Sequence, residues 1–242
     1  MATAVAEAGA DVLIVDIEEE GLAKTERELK ALGRKVVSVI CDVSDISAID
    51  KLYETLDLEF NRVDFLGNVA GNAYREDPLT IDIEKVIAAL QSLVIGRFYM
   101  CQQAGRRMIA QGKGSIVNIG SLASINALGR GSIAYSMSMG AVIQMTREFS
   151  TEWSSLGVRV NAILPGQVIN AGLTQLIKEQ PEMEKLFLRG LPIGRLGNPE
   201  DIKGLSILLA SDASSFITGA LSPLDGGNLA KNAGGSHPGM PA

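Results

Sequence analysis

The chain has 242 residues, a length that fits one large α/β domain better than two small ones. Hydrophobic residues make up 46% of it and charged residues 21%, the balance of an ordinary globular protein with a substantial core. The net charge of −6, without a run rich in lysine and arginine, argues against nucleic acid as a partner.

The sequence also argues against a metal centre and a membrane anchor. The single histidine, His237, and the two distant cysteines, Cys41 and Cys101, do not have the spacing of a zinc site or a redox pair. The first residues lack the cationic start and long apolar stretch of a signal peptide, and no apolar run approaches the roughly 20 residues of a membrane span. These features predict a cytoplasmic protein that binds no metal.

Short apolar runs alternate along the chain with longer segments at helical spacing. The runs are rich in Val, Ile and Leu without polar alternation, which is typical of parallel strands covered on both faces. Strands are predicted at 12–16, 35–41, 63–69, 114–119, 158–164 and 220–224. Helices are predicted at 19–32, 46–60, 82–111, 134–156 and 199–210. This alternation predicts a Rossmann-type doubly wound parallel sheet in three α/β/α layers.

The pattern predicts a single domain over residues 1–227. The remaining segment, 228–242, is rich in Gly, Pro and Ala and is predicted to be a flexible tail. Because His237 lies in that tail, a catalytic role for it is not expected.

Five segments, in order, resemble those of short-chain dehydrogenases/reductases. They are the strand ending in Asp16, the acidic turn Cys41-Asp42-Val43, the motif DFLGNVAG at 64–71, the strand GSIVNIGS at 114–121 followed by Tyr135, and RVNAILPG at 159–166. Near the end of the chain, Ile217-Thr218-Gly219 and Asp225-Gly226-Gly227 resemble the family's closing strand. The resemblance covers nearly the whole chain and implies an oxidoreductase.

The resemblance implies a nicotinamide dinucleotide cofactor. An acidic side chain after the second family strand binds the adenosine ribose hydroxyls and repels a 2′-phosphate, so Asp16 favours NAD over NADP. The other implied cofactor residues are Asp42, Val43, Asn68, Ala70, Gly71, Pro165, Gly166 and Asn170.

The same resemblance implies a reaction centre with two departures from the family pattern. Tyr135 would exchange a proton with the substrate oxygen, and Ser121 would hydrogen-bond it. Met139 stands where the family has a lysine that makes the tyrosine more acidic, and Leu93 stands where it has an asparagine. An unassisted phenol ionises near pH 10, so roughly one in 10³ is phenolate at pH 7, which predicts about three decades of lost rate. No basic residue is obviously placed to substitute, since Arg147 lies two further turns along the helix.

The family's opening strand and glycine-rich loop have no counterpart before Asp16. We therefore expect the strands ending at Asp16 and Asn68 to face a gap with unpaired backbone groups. The backbone amides that hold a pyrophosphate would be absent with the loop, which predicts weak cofactor binding.

Two functions follow as hypotheses. One is NAD-linked interconversion of a secondary alcohol and a ketone, impaired or inactive in this chain. The other is a non-catalytic subunit that acts through oligomerisation or partner binding. In either case the resemblance implies a homodimer or homotetramer, and the substrate, a small alcohol or ketone, is not identified by the variable segment 167–195.

Overall fold

Six parallel strands alternate with helices in a computed structural model that describes residues 1–72 and 74–232. The strands are β1 (Val12–Asp16), β2 (Val36–Ile40), β3 (Phe65–Asn68), β4 (Gly114–Ile119), β5 (Val158–Pro165) and β6 (Leu221–Leu224). Every predicted strand is present, with ends that differ by at most two residues. The predicted tail from 233 onward, with His237, lies outside the described residues.

The strands form two sheets with the gap where the sequence predicts it. β1 pairs with β2, while β3, β4, β5 and β6 pair in that order. All the pairings are parallel. A groove of about 710 Å³ separates β1 from β3. Its walls are mostly apolar and include Val12, Ile14, Phe65 and Leu66.

Helices cover both faces of the strands, which confirms the predicted Rossmann-type layers. They are α1 (Ala2–Glu7), α2 (Glu19–Lys30), α3 (Ile46–Glu59), α4 (Ile83–Leu90), α5 (Arg97–Gln111), α6 (Ile133–Trp153), α7 (Ala171–Glu179), α8 (Glu182–Arg189) and α9 (Lys203–Ala210). On one face α1 and α2 pack against β1 and β2, and α9 packs against β4 and β5. On the other face α3 and α5 build the largest apolar cluster. No helix of the described part is long and apolar enough to cross a membrane.

The prediction of one continuous helix over 82–111 is wrong in one respect. A wider π-helical turn, Gln91–Gly96, lies between α4 and α5. Gly96 lies in this turn. A Cβ at this position would be only 1.9 Å from the Val43 carbonyl oxygen, so no larger residue fits. The helix therefore presses against the turn after β2 at a point where only glycine fits.

The variable segment is more ordered than the sequence suggested. It contains α7 and α8, neither of which has a buried residue. A single bridge between Val168 and Gly197 ties the start of this segment to its end. The two short helices follow β5 as an exposed segment, which is called the lid below.

Candidate functional site

The carboxyl ends of the six strands share one edge, because the strands run parallel. Asp16 ends β1, Val69 to Gly71 follow β3, and Ser121 follows β4. This is the edge at which open α/β sheets bind their ligands. Most of the predicted site residues therefore lie in one region.

Ser121 is fixed at the end of β4 by a short turn. It caps the 3₁₀ turn Leu122–Ser124, and its Oγ accepts from the backbone N–H of Ala123 at 3.2 Å. Its own N–H donates to Ser124 Oγ at 3.1 Å. Because the Ser121 hydroxyl is used there as an acceptor, its proton can still be donated to a ligand oxygen.

Tyr135 lies in the first turn of α6 and is half-buried. Its ring packs against an apolar cluster formed by Leu93, Ala123, Met139 and Val142. Ala123 belongs to the turn that Ser121 caps. Tyr135 therefore packs on a cluster that includes a residue of that turn.

The two departures from the family pattern are members of that same cluster. Leu93 is 2% exposed and Met139 is 1% exposed. Gly71, with φ +140°, lies against Leu93 so closely that a Cβ would be 2.5 Å from a leucine methyl carbon. The place of a polar relay is therefore filled by tightly packed aliphatic side chains.

Arg97 is a charged residue of this region that the sequence reasoning missed. It is 3% exposed, although it begins α5. Its Nε donates to the Ala70 carbonyl at 2.8 Å, its Nη2 to the Val69 carbonyl at 2.5 Å and its Nη1 to the Ile119 carbonyl. The guanidinium thus joins the ends of β3 and β4.

Burial and the neighbouring phenol act in opposite directions on Arg97. Burial lowers the pKa of Arg97 to about 10, and the charge of ionised Tyr135 would raise it. Arg97 therefore remains a cation at neutral pH. The signal for it was present in the sequence, since Arg97 lies at helical spacing between Leu93 and Cys101 on the buried face.

Asn68 is buried in a polar network that holds β3 to β4 and α5. Its Nδ2 donates to the Arg97 carbonyl at 3.0 Å and to Asn118 Oδ1 at 3.1 Å. Asn118 Nδ2 in turn donates to Thr146 Oγ1 of α6 at 3.0 Å. The side-chain amide of Asn68 therefore helps to hold β3 against β4 and α5. Burial raises the pKa of the adjoining Cys101 thiol to about 12.

The predicted adenosine residues lie at the ends of β1 and β2. Asp16 is exposed, and its Oδ1 accepts from the N–H groups of Ile17 at 2.7 Å and Glu18 at 3.1 Å. These bonds orient the carboxylate and leave Oδ2 for a ligand hydroxyl. Asp42 is exposed and bonds the Ser44 N–H at 2.8 Å, whereas Val43 is buried.

The remaining predicted cofactor residues lie at the ends of β3 and β5. The Ala70 carbonyl is taken by Arg97. Pro165 ends β5, and Gly166 lies so close to Asp225 that a Cβ would be 3.1 Å from its Cα. Asn170 caps α7, with its Oδ1 accepting from the Leu173 N–H at 2.9 Å. That side chain is committed to the lid helix.

A family model of short-chain dehydrogenases, described as an enoyl-(acyl carrier protein) reductase, matches residues 1–228. The chain belongs to the short-chain dehydrogenase/reductase family. This confirms the resemblance on which the site was predicted.

Relatives within this family carry both active and inactive descriptions. The 2-dehydro-3-deoxy-D-gluconate 5-dehydrogenase of Dickeya dadantii (strain 3937) is 36% identical over 96% of this chain and 90% of its own length. The inactive 2-(S)-hydroxypropyl-CoM dehydrogenase 2 of Xanthobacter autotrophicus (strain ATCC BAA-1158 / Py2) is 33% identical over 95% of this chain and 100% of its own. A gluconate 5-dehydrogenase from Burkholderia cenocepacia J2315, solved with NADP and tartrate, superposes with a TM-score of 0.88. It is 28% identical and covers 95% of this chain and 89% of that one.

Proposed function

We propose that this family member is an NAD-linked dehydrogenase that interconverts a secondary alcohol and a ketone on a small polyhydroxylated acid, with low turnover. The observation that carries the proposal is the packing of Tyr135 on an apolar cluster that includes Ala123, a residue of the turn that Ser121 caps. The substrate class is supported by the two relatives described as acting on gluconate-type acids.

In this proposal the residues of the chain transfer a proton to or from the substrate oxygen. The Tyr135 hydroxyl exchanges a proton with the substrate oxygen, while the Ser121 hydroxyl donates a hydrogen bond to that oxygen. When bound, the nicotinamide supplies or accepts the hydride. The lid of α7 and α8 limits the access of water from above.

Asp16 supports NAD over NADP. Its carboxylate ends β1, and Glu18, Glu19 and Glu20 follow directly at the start of α2. A 2′-phosphate placed there would meet several negative charges, whereas ribose hydroxyls can donate to the free carboxylate oxygen. The gluconate 5-dehydrogenase from Burkholderia cenocepacia J2315 was solved with the other cofactor, NADP.

The described residues fit only part of the dinucleotide. Asp16 and Asp42 suit the adenosine, and the ends of β3 and β5 suit the nicotinamide. The turn after β1 does not suit the pyrophosphate, because the Glu18 carboxylate already accepts from the N–H groups of Glu20 and Gly21 at the start of α2. We therefore propose that the described residues bind NAD weakly.

The alternative is a non-catalytic subunit, and one observation favours it. Leu93 and Met139 replace two polar family positions, and both are buried in one cluster. Because both replacements lie in the same cluster, they indicate that this region has been repacked as apolar core. The existence of a relative described as inactive supports the same possibility.

Cofactor titration and turnover together decide between these functions. NADH is titrated into the full chain and followed by nicotinamide fluorescence, with Asp16→Ala as control, and oxidation is assayed on a panel of gluconate-type hydroxy acids with Tyr135→Phe as control. The dehydrogenase proposal requires slow NAD reduction that Tyr135→Phe abolishes. NADH binding lost in Asp16→Ala, without turnover on any acid, would favour the non-catalytic subunit. Micromolar NADH affinity would contradict the proposal of weak binding.

We also propose that the chain forms a homodimer or homotetramer and that it is cytoplasmic. Ile87, Ile95 and Phe98 are between 40% and 58% exposed along α4 and α5, which supports pairing of these helices in a homodimer or homotetramer. The thiols of Cys41 and Cys101 are free and buried, as expected for a protein of the reducing cytoplasm.

A further inference from the structure

Arg130 lies on the loop that joins the turn at Ser121 to α6. It is the only charged residue between Ser121 and Tyr135 in the sequence, and it is exposed. Two residues before it, Leu128 packs on the apolar cluster against which Tyr135 also packs. The loop is therefore attached to the predicted reaction centre, and Arg130 is the one charge that it carries.

The loop holds Arg130 in a backbone conformation that residues with a Cβ rarely adopt. Its φ is +54°, between Gly129 at +64° and Gly131 at +69°. Such strained residues are concentrated at sites that bind ligands. Gly131 anchors the loop, because its carbonyl accepts from the Glu76 N–H at 2.9 Å and a Cβ there would be 2.7 Å from the Glu76 carbonyl oxygen. The conformation of Arg130 is thus imposed by the packing of its neighbour.

The side chain of Arg130 contacts the lid. The Cζ atom of its guanidinium is 5.4 Å from the centroid of the Phe187 ring in α8. A guanidinium attracted to the face of an aromatic ring keeps the N–H groups at its edge for other partners. The contact therefore holds the guanidinium between the loop and the lid and leaves its donors to a ligand.

The charge of Arg130 has no partner among the described residues, since none of their ion pairs includes it. Glu76, which contacts the neighbouring Gly131, pairs with Lys85 at 2.8 Å instead. The chain as a whole carries a net charge of −6, which opposes the approach of an anion. A guanidinium beside the site offsets that repulsion, and its planar fork matches the two oxygens of a carboxylate.

We propose that Arg130 binds the carboxylate of the substrate between the loop and the lid, and thereby selects hydroxy acids over neutral polyols. The inference rests on the proposed dehydrogenase function and deepens it by naming the side chain that recognises the acid. The carboxylate takes the edge of the guanidinium and Phe187 keeps its face, so the acid and the lid share one cation.

The test compares two ligands of the full chain that differ at one carbon, D-gluconate and D-glucitol. Each is titrated by calorimetry at millimolar concentration with excess NADH present, because NADH does not oxidise an alcohol and no turnover occurs. The variants are Arg130→Gln, Arg130→Lys and Arg130→Gly, of which the last suits the left-handed backbone. Arg189→Gln, which removes an exposed arginine at the end of α8, is the matched control.

The unmodified chain and Arg189→Gln should bind gluconate about tenfold tighter than glucitol or more. Arg130→Gln should lose about tenfold of the gluconate affinity and none of the glucitol affinity, the change expected from one charge-assisted contact. Arg130→Lys, which keeps the charge without the fork, should lose less. Arg130→Gly should lose as much as Arg130→Gln while its denaturant midpoint is equal or higher, because the strain at this position is relieved.

Equal affinities of the unmodified chain for the two ligands, or no binding of gluconate, would overturn the proposal. An equal loss of both affinities in Arg130→Gln and Arg130→Gly would indicate a merely structural role and refute it as well. Gluconate binding that depends on Arg130, without NAD reduction on any acid, would count against the dehydrogenase proposal only. NAD reduction on these acids beside an undiminished gluconate affinity in Arg130→Gln would refute the role of Arg130 only.

Discussion

Leu93 and Met139 occupy family positions that are 46 residues apart in the sequence and belong to one packed cluster in the structure. A residue in such a cluster is constrained by its neighbours as much as by its own role. Restoring a lysine at position 139 alone would place an ammonium among Leu93, Ala123 and Val142. The cost of that burial is not offset unless the neighbouring position also becomes polar.

We expect Met139→Lys to lower the free energy of unfolding by about 2–4 kcal/mol, because a charge replaces an apolar group in a buried site. Met139→Leu, which keeps the volume, should cost less than about 1.5 kcal/mol. Adding Leu93→Asn to Met139→Lys should recover part of the loss, with a coupling of about 0.5–3 kcal/mol. Denaturant titration of these three variants and of Leu93→Asn alone measures this, and strictly additive effects would show that the two sites are not coupled.

For individual residues, the sequence predicts the location of a side chain better than the contacts that the side chain makes. Ser121 follows β4 and Tyr135 lies in the first turn of α6, and their catalytic roles stay predictions. Asn68 has its side chain in the network between β3 and β4, because only the three-dimensional pairing with Asn118 reveals the partner. Arg97 was missed because an arginine within a helix is ordinarily solvent-exposed, and its carbonyl partners come from two distant turns.

The π-helical turn between α4 and α5 allows a prediction about stability. Gly96→Ala should lower the free energy of unfolding by about 3 kcal/mol or more, since its methyl group would overlap the Val43 carbonyl. Gly140→Ala, within α6, is the matched control because no atom lies within 4 Å of its added Cβ. That change should be neutral or stabilise by up to about 1 kcal/mol. Equal denaturant midpoints for the two variants would contradict this account of the turn.

The elements themselves were largely predictable, and the exceptions have physical causes. Runs of Val, Ile and Leu predict the positions of the strands. The exact strand ends depend on how far the pairing with neighbouring strands extends, which the sequence does not show. The turn at 91–96 was not predictable because helical spacing continues through it, and its cause is a contact with a residue about 50 positions earlier. The helices α7 and α8 were missed although their apolar residues recur at helical spacing, as in Leu173, Leu176 and Ile177.

For the whole molecule, the division into two sheets has consequences for stability. β1 and β2 form no ladder with β3, so no backbone hydrogen bonds between strands join them to the larger sheet, and their side chains pack on its helices. Regions with fewer cross-connections open more readily than the rest of a fold. Cys41 directly follows β2, whereas Cys101 lies in α5 beneath β3 and β4.

We therefore expect Cys41 to be alkylated several-fold faster than Cys101 in the native protein, because local opening of the smaller sheet exposes only the former. Both thiols are 3% exposed or less, so neither reacts without opening. Iodoacetamide labelling followed by peptide mass spectrometry measures the two rates. Labelling in concentrated guanidinium, where both should react alike, is the control, and equal native rates would indicate that the molecule opens as one unit.

The chain passes from the smaller sheet to the larger one a single time, through the exposed turn at Asn61. A break at that turn would leave both sheets uninterrupted, one in each fragment. Fused to two proteins that bind each other, the fragments would recombine at the high effective concentration of the complex and remain apart otherwise. The division of the sheet thus makes this fold a scaffold for a split reporter of molecular association.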